Sequence, residues 1–276
     1  MTNPSIFNMI LVWPILNVLV AVYKVLIFVN FPFALGFSII ILTIIIRFVL
    51  YPLTASQLKA SKKMQDLNPH LSRLKEVHKG DSKTLQQETM KLYKEHGVNP
   101  AAGCLPVLVQ LPIIWGLYST LSQIVSLKPE VINKVVYSDA LKITKQWDPN
   151  FFGVSLGANP SNLISTVGPA VLLIPILTAL FQFIQSKMMF TKPKTEKALT
   201  VKGEKKKNED FASAFQSQSM YIFPLMIGFF SWTFPVGLSL YWNTFTIFGI
   251  IQQYKISGLG GLSEWTDKIW TKNKIK

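Results

Sequence analysis

Long apolar blocks alternate with polar, mostly basic blocks along this chain. Five of the apolar blocks have about the length of a helix that crosses the hydrocarbon core of a bilayer. They cover residues 33–54, 103–124, 163–186, 217–232 and 236–254. The pattern therefore predicts an all-α polytopic membrane protein. Its five transmembrane helices would form a core over residues 33–255, with a tight turn at residues 233–235 between the last two.

A further apolar block, residues 10–29, lies in the N-terminal region 1–32 and carries its polar groups on one face. Trp13, Asn17, Ala21 and Lys24 recur there at helical spacing. An amphipathic helix of this kind lies in the plane of the membrane interface. We therefore predict an N-terminal interfacial helix on the outer surface, while the length of the block leaves a sixth span as the alternative.

Two lysine-rich polar blocks, residues 56–96 and 187–210, separate the apolar ones, and a basic tail follows at residues 256–276. The first block predicts two helices joined by a turn at residues 79–82, where Gly80 interrupts the helical pattern. Gly97 and Pro100 suit the end of the second helix. The sequence thus predicts a helical hairpin outside the membrane.

The placement of the charge sets the orientation. The net charge is +14, and both lysine-rich blocks and the tail fall on one side of the predicted spans. The loop 127–162 on the other side is nearly balanced in charge. Because short cytoplasmic loops favour Lys and Arg, we expect residues 56–96, residues 187–210 and the C-terminus to be cytoplasmic. Trp147 in the opposite loop suits the headgroup layer.

Composition supports a membrane protein and disfavours an enzyme. Hydrophobic residues make up 49% of the chain, charged residues 15%, and the mean hydropathy is +0.32. The single cysteine, Cys104, excludes an intramolecular disulfide. His70, His78 and His96 all lie in the first polar block, so an intramembrane Ser/His pair is not available. We expect no covalent catalysis, no metal and no cofactor.

Arg47 is a charge inside the first span. A guanidinium stays protonated, and placing it at membrane depth costs several kcal/mol by most estimates. Such a group usually faces a wet cavity or a polar partner, and Thr43, one helical turn earlier, shares its face. The alternative is that Arg47 extends to the headgroups, about 10 Å away.

Other polar side chains recur in the predicted inner halves of different spans. They are Gln110, Gln182, Gln185, Gln216, Gln218, Trp242 and Asn243, the last two nearer mid-membrane. Together with Arg47 they predict a hydrophilic groove open to the cytosol, because no Asp or Glu lies in any span to neutralise the arginine. Hydrogen bonds that merely join helices are the alternative for the glutamines.

Three segments resemble the signature segments of the YidC/Oxa/Alb membrane protein insertases. They read IIILTIIIRFVLYPL, NPAAGCLPVLVQLPIIWGLY and FPVGLSLYWNTFTIFGIIQQY, and the resemblance runs over residues 33–255. It implies a helical bundle around a hydrophilic groove open to the cytosol and to lipid, with residues 56–96 as a coiled-coil-like cytoplasmic hairpin. Without a large extracytoplasmic domain or a lipoprotein cysteine, the chain is expected to be a minimal bacterial form.

The resemblance also implies roles for individual residues. Arg47 corresponds to the groove arginine of the family, Thr43 to its neighbour one turn earlier, and Trp242, beside Tyr241, to the aromatic wall of the groove. The expected groove residues are Arg47, Thr43, Gln110, Gln182, Tyr241, Trp242 and Asn243. The lysines expected to contact the ribosome or the nascent chain are Lys59, Lys62, Lys63, Lys272, Lys274 and Lys276.

The function implied by the resemblance is insertion of hydrophobic segments of newly made proteins into the bilayer, with a chaperone role in their folding. The implied partners are nascent membrane proteins, the ribosome, the Sec translocon and the lipid bilayer, and the implied location is the bacterial inner membrane. One alternative is a small-solute transporter or channel, which the lack of an inverted repeat disfavours. Another is a membrane-anchored scaffold that binds ribosomes through its lysine-rich loops.

Overall fold

The computed structural model describes residues 2–99, 105–189 and 211–263 of the 276-residue chain, and most of these residues are helical. The α-helices are α1 (Trp13–Phe28), α2 (Ala34–Val49), α3 (Tyr51–Asp66), α4 (Asn68–Val77), α5 (Ser82–Glu95), α6 (Leu105–Ile124), α7 (Pro129–Ile132), α8 (Pro160–Val167), α9 (Leu173–Met189), α10 (Phe211–Thr233) and α11 (Val236–Ser257). A π-helical turn at Asn8–Val12 leads into α1, and strands β1 (Asn150–Phe151) and β2 (Val154–Ser155) form a short antiparallel hairpin.

The chain divides into two compact units. The first consists of Met1–Tyr51, Val107–Gln182 and Pro224–Gly249, and the second of Pro52–Pro106, Phe183–Phe223 and Ile250–Lys276. The main hydrophobic core lies in the first unit, where α1 packs along α2. Leu16 and Leu19 on α1 and Leu35 and Ile39 on α2 are buried there, at the spacing of one helical face.

The polar face of α1 has protein partners. The Asn17 side-chain amide donates to the Val135 carbonyl oxygen at 3.0 Å, and its oxygen accepts from the Tyr137 backbone N–H at 2.7 Å. The Lys24 ammonium donates to the Ala140 carbonyl oxygen at 2.5 Å. Asn17 and Lys24, two of the residues from which we predicted an interfacial helix, therefore bind the backbone of the segment that follows α6.

Few of the described helices have both the length and the hydropathy of a membrane span. Two stretches meet the requirement, Asn8–Phe28 and Pro169–Met189, each 21 residues long, and the broken pair α2 and α3 would be a third. The apolar helix Met220–Thr233 is shorter. The count of five spans therefore stays a prediction. The N-terminal stretch, which we predicted to be interfacial, has the length and hydropathy of a span.

The predicted first span, residues 33–54, is not one helix. Helix α2 ends at Val49, Leu50 is its C-cap, and α3 begins at Tyr51. Pro52 explains the break, because proline has no N–H to donate and its ring displaces the carbonyl one turn earlier. The apolar run continued past this residue, so hydropathy alone placed the end of the helix too late.

The predicted third span, residues 163–186, is also interrupted. Helix α8 ends at Val167, and Gly168 adopts φ +89°, a backbone conformation that residues other than glycine rarely take. A 3₁₀ turn at Pro169–Leu172 then leads into α9. The other predicted spans match helices: α6 continues through Pro112, and α10 and α11 are joined at Phe234 and Pro235.

The loop 127–162 is folded against the first unit. We expected Trp147 in the headgroup layer, but only 3% of its surface is exposed and its ring lies 4.2 Å from that of Tyr23. The Leu156 carbonyl oxygen accepts a 2.8 Å hydrogen bond from the backbone N–H of Gly237. The contact was not predicted, because Tyr23 and Trp147 lie more than a hundred positions apart in the chain. The depth of Trp147 relative to the headgroups stays a prediction.

The polar block 56–96 contains three helical segments instead of two. Helix α3 ends at Asp66 and α4 begins at Asn68, where Pro69 in the first turn cannot donate a backbone hydrogen bond. The turn predicted at residues 79–82 lies between α4 and α5, with Gly80 at φ +95°. Helix α4 buries no residue fully, so little apolar surface stabilises this part of the second unit.

Candidate functional site

Arg47 lies in the last turn of α2 with only 4% of its surface exposed. Its Nη2 donates a hydrogen bond to the Phe245 carbonyl oxygen on α11. Its guanidinium carbon lies 3.3 Å from the centroid of the Phe245 ring and 5.9 Å from that of Phe248. The charge therefore rests on an aromatic face, which attracts a cation through the negative charge density of the ring.

Arg47 carries a buried polar atom without a partner, because its Nε makes no hydrogen bond. Elsewhere on α11, Asn243 Oδ1 and Thr246 Oγ1 are also buried without a hydrogen-bond partner. No ion pair joins Arg47 to a carboxylate among the described residues. A buried polar group without a partner costs about 1–3 kcal/mol, so this site favours water or an incoming polar group.

Thr43 lies one turn before Arg47, as predicted, but its side chain is fully buried. Its hydroxyl donates to the Ile39 carbonyl oxygen of the same helix at 2.6 Å. This contact already uses the single donor of the hydroxyl. Thr43 therefore contributes to the buried face of α2, and its place in a groove stays a prediction.

Two further predicted residues from other helices meet α11. Gln110 on α6 donates from Nε2 to the Tyr241 hydroxyl oxygen at 2.7 Å, and Tyr241 is fully buried. The Trp242 indole N–H on α11 donates to Gln182 Oε1 on α9 at 3.1 Å. Consecutive residues of α11 thus reach two different helices. Side chains on α2, α6 and α9, which were predicted from separate apolar blocks, thus each contact α11. Their joint role as a groove stays a prediction.

The predicted basic contacts lie elsewhere. Lys59, Lys62 and Lys63 are exposed on α3, at a spacing that puts them on one face of the helix. Lys272, Lys274 and Lys276 lie outside the described residues, as does Cys104. Within the part of the chain that the structure describes, no cluster of His, Cys, Asp or Glu has a geometry that could hold a metal ion.

Sequence reasoning missed Phe245 and a chain of buried hydroxyls. Thr178 on α9 lies 3.1 Å from the Ser231 hydroxyl oxygen on α10, which lies 2.8 Å from that of Ser239 on α11. Hydroxyl residues within apolar blocks signal such contacts, because they hydrogen-bond across membrane helices. Phe245 carried no comparable signal, since it is one of 19 phenylalanines.

Comparison with known proteins places these residues in a family. The sequence profile of the family described as "60Kd inner membrane protein" matches residues 26–259. The chain is 34% identical over 226 residues to a membrane protein insertase YidC of Fusobacterium nucleatum, covering 82% of this chain and 87% of that protein. It is 32% identical over 252 residues to the chloroplast inner membrane protein ALBINO3 of Arabidopsis thaliana, covering 84% of this chain and 48% of that protein.

Other relatives are longer than this chain. A membrane protein insertase YidC of Rickettsia prowazekii is 33% identical over 226 residues, which cover 80% of this chain and 35% of that protein. The chain thus spans about half of the ALBINO3 protein and about a third of the Rickettsia protein.

A solved structure supports the fold. It is described as an active YidC insertase with the first transmembrane domain resolved, and it superimposes with a TM-score of 0.54 at 22% identity. The match covers 91% of this chain and 47% of that one. The family profile spans most of the sequence, and the Fusobacterium relative is matched over most of both chains. This chain therefore belongs to the YidC/Oxa/Alb family.

Proposed function

We propose that this protein inserts hydrophobic segments of newly made proteins from the cytosol into the lipid bilayer and aids their folding. The observation that carries the proposal is Arg47, a buried cation on a strongly apolar helix with no carboxylate partner among the described residues. The names of the relatives from Fusobacterium and Rickettsia, both membrane protein insertases, support the same function. They favour it over a small-solute transporter.

The mechanism is a lowered barrier, without a covalent step. The polar flank of a substrate segment enters a groove at Arg47, where Gln110, Gln182 and Asn243 provide hydrogen-bonding groups in place of bulk water. Two unit charges about 4 Å apart attract by about 1 kcal/mol in water and about 4 kcal/mol at a dielectric constant near 20. Arg47 therefore aids an acidic flank most. The hydrophobic segment then moves into lipid.

The proposed topology has the lysine-rich block 56–96 and the C-terminus in the bacterial cytoplasm. The N-terminal stretch Asn8–Phe28 crosses the membrane in this proposal, in addition to the five predicted spans. Its length and hydropathy support a crossing, and its polar residues Asn17 and Lys24 are used by protein contacts. The side chains it leaves exposed are apolar, such as Val25 and Phe28, and suit lipid better than water.

The proposed partners follow from the same topology. Nascent membrane proteins are the substrates, and the exposed lysines of α3, Lys59, Lys62 and Lys63, contact the acidic surface of the ribosome. Cooperation with the Sec translocon is part of the proposal for longer substrates. Among the described residues, the proposed ribosome contacts lie on α3. The lysines of the basic tail, residues 256–276, add further positive charge to the proposed contact.

The test is insertion into liposomes that contain the purified protein. Two substrates are compared that differ only in their translocated tail, one acidic and one neutral. Arg47→Ala is expected to slow insertion of the acidic substrate about tenfold, because it removes an attraction of a few kcal/mol. Arg47→Lys keeps the charge and should retain much of the activity. Arg73→Ala is the matched control, since Arg73 lies on α4, outside the predicted spans.

Three outcomes would contradict the proposal. Equal loss for both substrates, with Arg47→Lys as defective as Arg47→Ala, would make Arg47 a structural residue. An unchanged insertion rate in Arg47→Ala would mean that insertion does not require the positive charge of Arg47. Flux of a small solute through the same liposomes, without insertion of either substrate, would favour a transporter or channel.

A further inference from the structure

We propose that Phe245 is a positioning residue for Arg47, and that its ring holds the guanidinium in place until an acidic group of a substrate displaces it. Phe245 contacts Arg47 twice, through its carbonyl oxygen and through the face of its ring. The claim about position stands on this geometry alone, and the claim about substrates rests on the proposed function.

The two contacts can be separated by mutation. Every substitution at position 245 keeps the backbone carbonyl oxygen, so the hydrogen bond from Arg47 Nη2 has its acceptor in each variant. Only the ring is lost. The ring is itself held by a neighbour, because its centroid lies 5.7 Å from that of Tyr241. The contribution of the aromatic face to the position of the charge can therefore be measured by itself.

An aromatic face is suited to this role because it holds a cation without neutralising it. A guanidinium is weakly hydrated and stacks readily on aromatic rings, so it can leave bulk water at moderate cost. A carboxylate partner would bind Arg47 more strongly, often through two parallel hydrogen bonds. For the same reason an acidic group of a substrate outcompetes the ring. The buried Arg47 Nε, which has no partner in the described structure, is available as a further donor to that group.

Phe248 provides a matched control on the same helix. It is the same residue type, less than one turn further along α11, but its ring centroid lies 5.9 Å from the guanidinium carbon, against 3.3 Å for Phe245. Its ring packs edge-to-face on Phe48 at 5.4 Å. Replacing Phe248 therefore perturbs the packing of α2 on α11 while leaving the ring under Arg47 in place.

The test measures how freely the Arg47 guanidinium reacts. The chain has two arginines, Arg47 and Arg73, so Arg73→Lys leaves a single target for phenylglyoxal, a dicarbonyl reagent selective for arginine. In this background, Phe245→Leu should speed modification of Arg47 by about tenfold, as loss of a desolvated cation–π contact implies. Phe245→Tyr should keep the slow rate, because it restores an aromatic face. Peptide mapping by mass spectrometry locates the modified residue.

The outcomes decide between positioning and general packing. An unchanged rate in Phe245→Leu, or an equal increase in Phe248→Leu, would overturn the proposal. Phe245→Met is a second aliphatic replacement if Phe245→Leu does not fold, and each variant is first matched to the parent by thermal unfolding in detergent.

The insertion assay separates this proposal from the proposed function. Phe245→Leu should slow insertion of the acidic substrate more than that of the neutral one. Phe245→Tyr should insert both substrates at the rates of the parent protein. If phenylglyoxal modification changes as expected while Arg47→Ala leaves insertion unaltered, the positioning role stands and the proposed groove mechanism fails. If both modification and substrate preference are unchanged in Phe245→Leu, the positioning role itself is wrong.

Discussion

The side-chain amide of Gln110 on α6 donates a 2.7 Å hydrogen bond to the hydroxyl oxygen of Tyr241, a side chain on α11 with no exposed surface. The two residues are 131 positions apart in the sequence. Their contact joins two helices near Arg47, because the Tyr241 ring lies 5.7 Å from the ring of Phe245, which contacts Arg47. The consequences of breaking the pair differ according to which partner is removed.

We predict that Gln110→Leu destabilises the protein more than Tyr241→Phe. Gln110→Leu leaves the buried Tyr241 hydroxyl without this partner, which costs about 1–3 kcal/mol. Tyr241→Phe leaves only the half-buried Gln110 amide, which can turn toward water, and polar contacts in membrane proteins average about 0.6 kcal/mol. Chemical unfolding in detergent micelles measures both. In the double variant the loss should be smaller than the sum of the two single losses, and strict additivity would contradict the contact.

A second prediction concerns Asn17, which bridges α1 and the segment after α6. Asn17→Leu should destabilise the protein by about 1–3 kcal/mol for each backbone group it leaves without a partner. Asn17→Asp should not restore stability, because a carboxylate can accept from the Tyr137 N–H but cannot donate to the Val135 carbonyl oxygen. Limited proteolysis of residues 133–145 measures release of the segment. Val18→Leu, on the partly exposed face of α1, is the control and should leave cleavage unchanged.

These contacts mark what the sequence could and could not predict. Helix α6 and the turn between α10 and α11 were predictable, because apolar length and Pro235 are local signals. Arg47 was predictable because a charge within an apolar block is rare. Its partner Phe245 was not, since polar and apolar residues are mixed all round α11 and hydropathy does not specify which of its faces meets α2. Asn17 donates to Val135, which lies 118 residues later in the chain. Without that partner in view, the polar Asn17 side chain predicted a helix at the membrane interface.

The third prediction is that Gly36→Ala destabilises the protein. Alanine at a helical glycine normally stabilises by about 1 kcal/mol. Here an added Cβ would overlap the ring of Phe151, which lies against the first turn of α2. Overpacking of this kind costs about 1–3 kcal/mol. Gly116→Ala is the control, because its Cβ would meet the flexible end of Leu11 at 2.9 Å, and the thermal midpoint should fall less. Equal midpoints for the two variants would contradict the expected overlap.

The last prediction concerns Asp81, the N-cap of α5 in the polar block 56–96. The Thr84 hydroxyl donates to its carboxylate at 2.5 Å and the Thr84 backbone N–H at 3.1 Å, and these bonds lower the pKa of Asp81 below its usual value. A carboxyl whose pKa is lowered by folding stabilises the folded form fully above its unfolded pKa of about 3.9. That stabilisation is lost as the pH falls through the folded pKa.

We therefore expect the first turn of α5 to keep its protection against hydrogen exchange down to about pH 4 and to lose it as the pH falls further, after correction for the intrinsic exchange rate. In the Asp81→Asn variant, the first turn of α5 should lose less protection on acidification, because a neutral asparagine caps a helix at any pH. Helix α4 is the internal reference, since its N-cap, Leu67, makes no side-chain cap hydrogen bond. An equal loss in α4 and α5 would mean that acid loosens the whole block. A loss confined to α5 and reduced by Asp81→Asn would assign the pH dependence to this carboxylate.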